Sequence, residues 1–288
     1  MSLRRFLQLD VFAHRIGAGN PLAVVFDAQG LDSEAMQSFA AWTHLPETIF
    51  LLPPEPGADY RVRIFTPRQE LSFAGHPSIG AAWAVLDAGR VSPRSEALVQ
   101  QCAAGHLPVR IVHDANGLRV SIRTPRAQRC VTGDDKQALL DAALAGVPWG
   151  PLVPALWDNG PRWWVAELAD AAAVRGMRPD LAAIQALSGE DALGLAVFAR
   201  TQEPGFAYAV RAFCPSDGIA EDPVTGSANA AIATALLAAG RIEVGDAYQI
   251  SQGREVGRDG CIEIRIDDER EVWIGGRVQA VVRGTVEW

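Results

Sequence analysis

Three residues in this chain are placed to handle protons and anions. His76 lies between Gly75 and Pro77, Glu47 precedes the apolar run Thr48-Ile49-Phe50, and Asp222 stands in Glu221-Asp222-Pro223-Val224-Thr225-Gly226-Ser227. A histidine at a helix start has its pKa lowered by the positive helix end, which favours neutral imidazole, although a lone histidine is more often structural or solvated than catalytic. A glutamate partly buried at the mouth of an apolar strand has its pKa raised and suits proton transfer, although a solvated loop carboxylate is the simpler alternative. Asp222, before proline, could simply cap a turn. Gly75-His76 and Gly226-Ser227 each open an alanine-rich apolar run. The first amides of a helix have no partner within it, so both starts are candidate anion sites. Either loop alone could merely end a strand with glycines fitting a tight turn; as a pair they read as a carboxylate clamp.

The elements that must position these residues occur twice. Val62-Arg63-Ile64-Phe65-Thr66-Pro67 returns 148 positions later as Val210-Arg211-Ala212-Phe213-Cys214-Pro215. The closing triplets of the two apolar runs, Gly89-Arg90-Val91 and Gly240-Arg241-Ile242, lie 151 apart, so one three-residue insertion separates the copies. One repeat of half the chain length implies two like domains, here residues 1–124 and 125–288, facing each other across a cleft suited to a small ligand. Strands are predicted at 6–13, 22–26, 48–52, 61–65, 99–101, 107–113 and 118–123, the last two joined by an Asn116-Gly117 hairpin turn. Further strands are predicted at 163–168, 194–200, 207–213, 247–251, 261–266, 272–277 and 278–286, with a turn at Trp157-Asp158-Asn159-Gly160. Helices are expected at 35–43, 77–88, 134–145, 180–188 and 227–239. The helix at 77–88 carries no charge on any face from Ser78 to Leu86, and that at 227–239 carries none at all, so both should be buried all round, each inside a curled sheet.

The bulk numbers exclude several classes. A chain of 288 residues can bury two cores, and 49% hydrophobic with 21% charged residues is ordinary for a globular protein. A net charge of -8 argues against a nucleic-acid partner, because a phosphate polymer needs a positive face. The N-terminus lacks a signal-peptide core, and the longest uncharged apolar stretch, 228–239, is too short to span a bilayer. A cytoplasmic protein is therefore expected. Cys102, Cys130, Cys214 and Cys261 lie far apart without metal-ligand spacing, and no phosphate loop or dinucleotide fingerprint is present. Eight tryptophans leave room for an apolar patch that a homodimer could cover, with core packing the better account of most of them.

Gly19-Asn20-Pro21-Leu22-Ala23-Val24-Val25, Glu47-Thr48-Ile49-Phe50, Arg63-Ile64-Phe65-Thr66-Pro67, Phe73-Ala74-Gly75-His76-Pro77, Glu221 to Ala228, and Gln252-Gly253 with Gly257-Arg258 run in order along the chain. Together they resemble the motifs of the PhzF-like phenazine-biosynthesis isomerase family. The resemblance implies an α+β, diaminopimelate-epimerase-like fold of two similar domains, each a curled, mostly antiparallel sheet around a central helix. It also implies a cofactor-independent isomerase moving a proton on a small carboxylate-bearing metabolite. On that resemblance Glu47 is the general acid/base, His76 and Asp222 hold the substrate and its amino group, and Gly75, Gly226 and Ser227 at the helix starts bind its carboxylate or hydroxyl. Epimerases and racemases of the same fold use a cysteine pair where this chain has His76 and Ser227, so a two-thiol mechanism is not expected. Pro46 stands where the family has a serine before its glutamate. An amino-acid or hydroxy-acid epimerase, and a non-catalytic small-acid-binding protein, remain the rival readings.

Overall fold

The computed structural model describes residues 2–92, 94–115 and 117–288. Two units separate by their internal contacts: Met1–Pro125 with Ile274–Trp288, and Arg126–Trp273. The first contains β1 (Leu3–Val11), β2 (Asn20–Val25), α1 (Ser33–Thr43), β3 (Glu47–Leu52), β4 (Tyr60–Phe65), β5 (Glu70–Leu71), α2 (Gly75–Asp87), β6 (Ala97–Cys102), β7 (Gly105–Asp114) and β8 (Gly117–Arg123). The second contains β9 (Gln128–Arg129), α3 (Asp135–Ala143), β10 (Ala155–Asp158), β11 (Arg162–Glu167), α4 (Ala171–Gly176), α5 (Leu181–Ser188), β12 (Gly194–Arg200), β13 (Tyr208–Cys214), β14 (Ile219–Asp222), α6 (Gly226–Ala238), β15 (Ala247–Gln252) and β16 (Gly260–Ile266). The last strand, β17 (Val272–Glu287), starts in the second unit and runs into the first.

In the first unit the pairings form a ring. β1 joins β2, β2 joins β3 in parallel, β3 joins β4, β4 joins β6 in parallel, β6 joins β7 and β7 joins β8. β17 pairs with both β8 and β1, closing a sheet barrel without a free edge. α2 touches β1, β2, β3, β4, β6 and β8, so it fills the barrel. That position suits its sequence, since every residue from Gly75 to Ala82 is buried. The helix lies so close to the wall that a methyl group on Gly80 would overlap Leu22 Cδ2. α1 covers the other face, with Met36, Phe39 and Ala40 packed on Val25, Phe50 and Phe65.

The second unit runs β9, β10, β11, β12, β13, β15, β16 by successive pairings, with β14 beside β13. α6, buried from Gly226 to Ala233, contacts β11, β12 and β16. Leu140 of α3, Val174 of α4 and Ile184 and Leu187 of α5 share a core with Leu195, Val197 and Phe213. The repeated segments are β4 and β13, and each carries an arginine that grips a glutamate with two hydrogen bonds. Arg63 holds Glu70 at 2.7 and 2.6 Å, and Arg211 holds Glu221 at 2.9 and 2.7 Å. The extra three residues of the second copy fall between the paired residues, where a 3-10 turn forms at Pro215–Asp217.

Several sequence expectations are corrected. α2 and α6 start at Gly75 and Gly226 rather than at 77 and 227, which brings both glycines into the first turn. Trp157 and Asp158 belong to β10, leaving only Asn159-Gly160 as the turn. The strands at 272–277 and 278–286 are one, because nothing between Arg277 and Val278 reverses the chain. Residues from Ile274 onward group with the first unit, whereas the division at 124/125 assigned them to the second: their hydrogen bonds go to β1. Short α4 and β14 were not foreseen. Asn116 of the expected hairpin lies outside the described residues; Gly117 has φ 107°, and Asp114 pairs with Gly117. Trp157, Trp163, Trp164 and Trp273 are buried, whereas Trp42 is 71% exposed. Among the described residues no helix is long and apolar enough to cross a membrane.

Candidate active site

The predicted site residues gather in two clusters, one in each unit. In the first, Glu47 opens β3 at a parallel pairing with Leu22 of β2, and His76 is the second residue of α2. His76 Nε2 lies 3.2 Å from Glu47 Oε2, with side chains 3% and 15% exposed. Burial lowers the His76 pKa to about 3, against a smaller opposing effect from a hydrogen bond to the Pro21 backbone. Distance alone would make this an ion pair, but desolvation dominates at so buried a site and the imidazole is neutral.

Pro21 has no N–H, so its carbonyl accepts from the histidine. Since Nε2 faces Glu47, the donor is Nδ1, and Nε2 presents a lone pair. A carboxylate and an imidazole lone pair at this separation repel each other. A proton on Glu47 converts the contact into an O–H···N hydrogen bond. Gly75 heads the helix before His76, and the preceding Ala74 gives no side-chain cap.

In the second unit, Asp222 ends β14 and Gly226 and Ser227 open α6. Thr225 Oγ1 donates to Asp222 Oδ2 at 2.6 Å. Ser227 Oγ accepts the indole N–H of Trp163 at 3.0 Å, and its backbone carbonyl accepts from Asn159 Nδ2 at 2.9 Å. An indole can only donate, so Ser227 is left with its own hydroxyl hydrogen to give, a polarity suited to an anion. Glu221, adjacent to Asp222, is taken up by Arg211, which also donates to the carbonyls of Val174 and Met177. Cys214 is a buried thiol at the end of β13. Among the described residues, no group of three or more His, Cys, Asp or Glu could hold a metal ion.

Trp163, Asn159, Thr225 and Gln252 contact the candidate residues and were not singled out as site residues from sequence. Their partners are 64, 68, 3 and 30 positions away; Thr225, immediately before Gly226-Ser227, and Gln252, in the Gln252-Gly253 motif, had a local signal, whereas Trp163 and Asn159 had none that pointed to the site.

The profile of the phenazine biosynthesis-like protein family matches residues 9–284. The chain is 33% identical over 295 aligned residues to antisense-enhancing sequence 1 of Schizosaccharomyces pombe, covering 99% of each. It is 32% identical to the trans-2,3-dihydro-3-hydroxyanthranilate isomerase of Pseudomonas chlororaphis, again over 99% of both chains. Among solved structures, a PhzF-family protein of Bacillus anthracis superposes with a TM-score of 0.84 over 100% of both chains at 24% identity. A hydroxyproline epimerase of Agrobacterium vitis has a TM-score of 0.68 at 16% identity, covering 99% of this chain and 92% of its own. The last two similarities establish the fold.

Proposed function

Because the chain belongs to the phenazine biosynthesis-like family and is an isomerase of it, we propose that it moves a proton on a small carboxylate-bearing metabolite, with Glu47 as general acid and base. The observation that carries this reading is the buried contact between Glu47 Oε2 and a neutral His76 Nε2. Glu47 takes a proton from one carbon, the electron pair moves into the substrate's π system, and the resulting carboxylic acid is held by the imidazole lone pair. The same proton returns to a different carbon, so the carboxylate is regenerated without an external acid. Asp222 binds the substrate's amino group, while Gly75, Gly226 and Ser227 receive its carboxylate or hydroxyl. The positions that would hold two thiols in an epimerase are His76 and Ser227, which favours a single carrier over two opposed bases.

We read the two units as copies of one α+β design of the diaminopimelate-epimerase-like kind, each a mostly antiparallel sheet around its helix α2 or α6. The duplicated arginine–glutamate pairs support this. Trans-2,3-dihydro-3-hydroxyanthranilate, named for the Pseudomonas chlororaphis relative, is the first compound to try. Glu47→Gln preserves shape and removes the carrier, so turnover should fall at least 1,000-fold while the dissociation constant changes less than threefold. Retained turnover in this variant would remove Glu47 from the mechanism.

A further inference from the structure

We infer that Thr225 and Gln252 are positioning residues for Asp222: the glutamine fixes which way the threonine hydroxyl points, and the hydroxyl holds the aspartate as a hydrogen-bond acceptor. The inference rests on the isomerase reading above for the role of Asp222, but the relay itself follows from the hydrogen bonds. Gln252 is fully buried and uses all four of its hydrogen-bonding positions. Its Oε1 accepts the Thr225 backbone N–H at 3.0 Å and Asn229 Nδ2 at 2.8 Å. Its Nε2 donates to the Asp222 carbonyl at 3.1 Å and to Thr225 Oγ1 at 2.9 Å. A backbone N–H only donates and a carbonyl only accepts, so the amide has one possible orientation. Thr225 Oγ1 therefore accepts from Gln252, and its single hydrogen goes to Asp222 Oδ2 at 2.6 Å, the length of a charge-assisted O–H···O bond.

Two comparisons within the chain show that the relay is not merely part of the frame. Thr225 occupies the N-cap position of α6, where threonine usually accepts from the first amides, yet its side chain makes no capping bond. Its hydroxyl is spent on Asp222 instead. In the first unit, residues 151 positions earlier are Leu71 and Ala74 in place of Asp222 and Thr225. A buried glutamine is present there too: Gln100 donates to Ser78 of α2 and accepts from Tyr60. The first copy thus packs its helix with a glutamine but without the threonine and aspartate, and the relay belongs to the copy that carries the carboxylate.

The test compares Thr225→Val, which keeps the shape and loses the hydroxyl, with Thr225→Ser, which keeps the hydroxyl. With trans-2,3-dihydro-3-hydroxyanthranilate as the assayed compound, Thr225→Val should lower kcat 10- to 100-fold with KM changed less than threefold, and Thr225→Ser should stay within threefold of the parent. Equal losses in the two variants, or full activity in Thr225→Val, would overturn the positioning role. If the unmodified protein does not turn this compound over, the substrate assignment fails separately, and NMR of the Thr225 hydroxyl decides the relay. A slowly exchanging hydroxyl proton that disappears in Gln252→Met supports it; rapid exchange in the unmodified protein refutes it.

Discussion

His76 links the candidate chemistry to folding. Its native pKa of about 3 lies below the ordinary value of 6.5, because burial disfavours the imidazolium. Between these limits the unfolded chain binds a proton that the folded chain refuses, so folding is favoured by rising pH. The contribution is complete above about pH 6.5 and is lost as pH falls towards 3, at up to about 1.4 kcal/mol per pH unit. His76→Asn should therefore show a shallower loss of stability between pH 6.5 and 4.5 than the parent, measured by urea unfolding. Equal slopes would mean that His76 is charged in the native state. The sequence made His76 and Glu47 visible through their flanking Gly, Pro and apolar residues. It could not show that they touch, because that contact depends on α2 threading a barrel whose strands come from both ends of the chain.

At the scale of elements, the repeated arginine–glutamate pair offers the same chemistry at two depths. Arg211 and Glu221 are 6% and 8% exposed, whereas Arg63 and Glu70 are 21% and 35% exposed. Arg211→Ala strands a buried carboxylate and should cost about 3–5 kcal/mol, while Arg63→Ala should cost no more than about 1 kcal/mol, both read from denaturant midpoints. Similar costs would show that burial does not set the value of these pairs. Gly80→Ala places a methyl group against buried Leu22 and should destabilise by about 1–3 kcal/mol, measured in the same way. The uncharged runs Ser78–Leu86 of α2 and Gly226–Ala238 of α6 identified them as interior helices from sequence alone. α4 escaped notice because six residues, three of them consecutive alanines, give no periodic apolar pattern. β14 escaped because its four residues are half polar, and pairing with β13 rather than its own pattern makes it a strand.

For the whole molecule, the duplication was legible from residues shared between the copies, and the location of the insertion followed from their changed spacing. The crossing of β17 between units was not legible, because a strand's own sequence does not name its partner. Removing residues 274–288 should leave the first barrel open between β1 and β8. We expect that truncation to lose the protected amides of β1 and β8 in hydrogen exchange while the amides of β12 and β13 keep their protection; uniform loss would mean that the units do not fold separately.

That final strand also imposes a timetable on biosynthesis. The segment that seals the first unit is made only after the second, so that barrel must wait, unsealed, while the whole of Arg126–Trp273 is translated. During that interval β1 and β8 present unmatched backbone to the cell, and slow elongation lengthens the exposure. The middle of the polypeptide, although made later, has its complete sequence available earlier and is the part able to mature first.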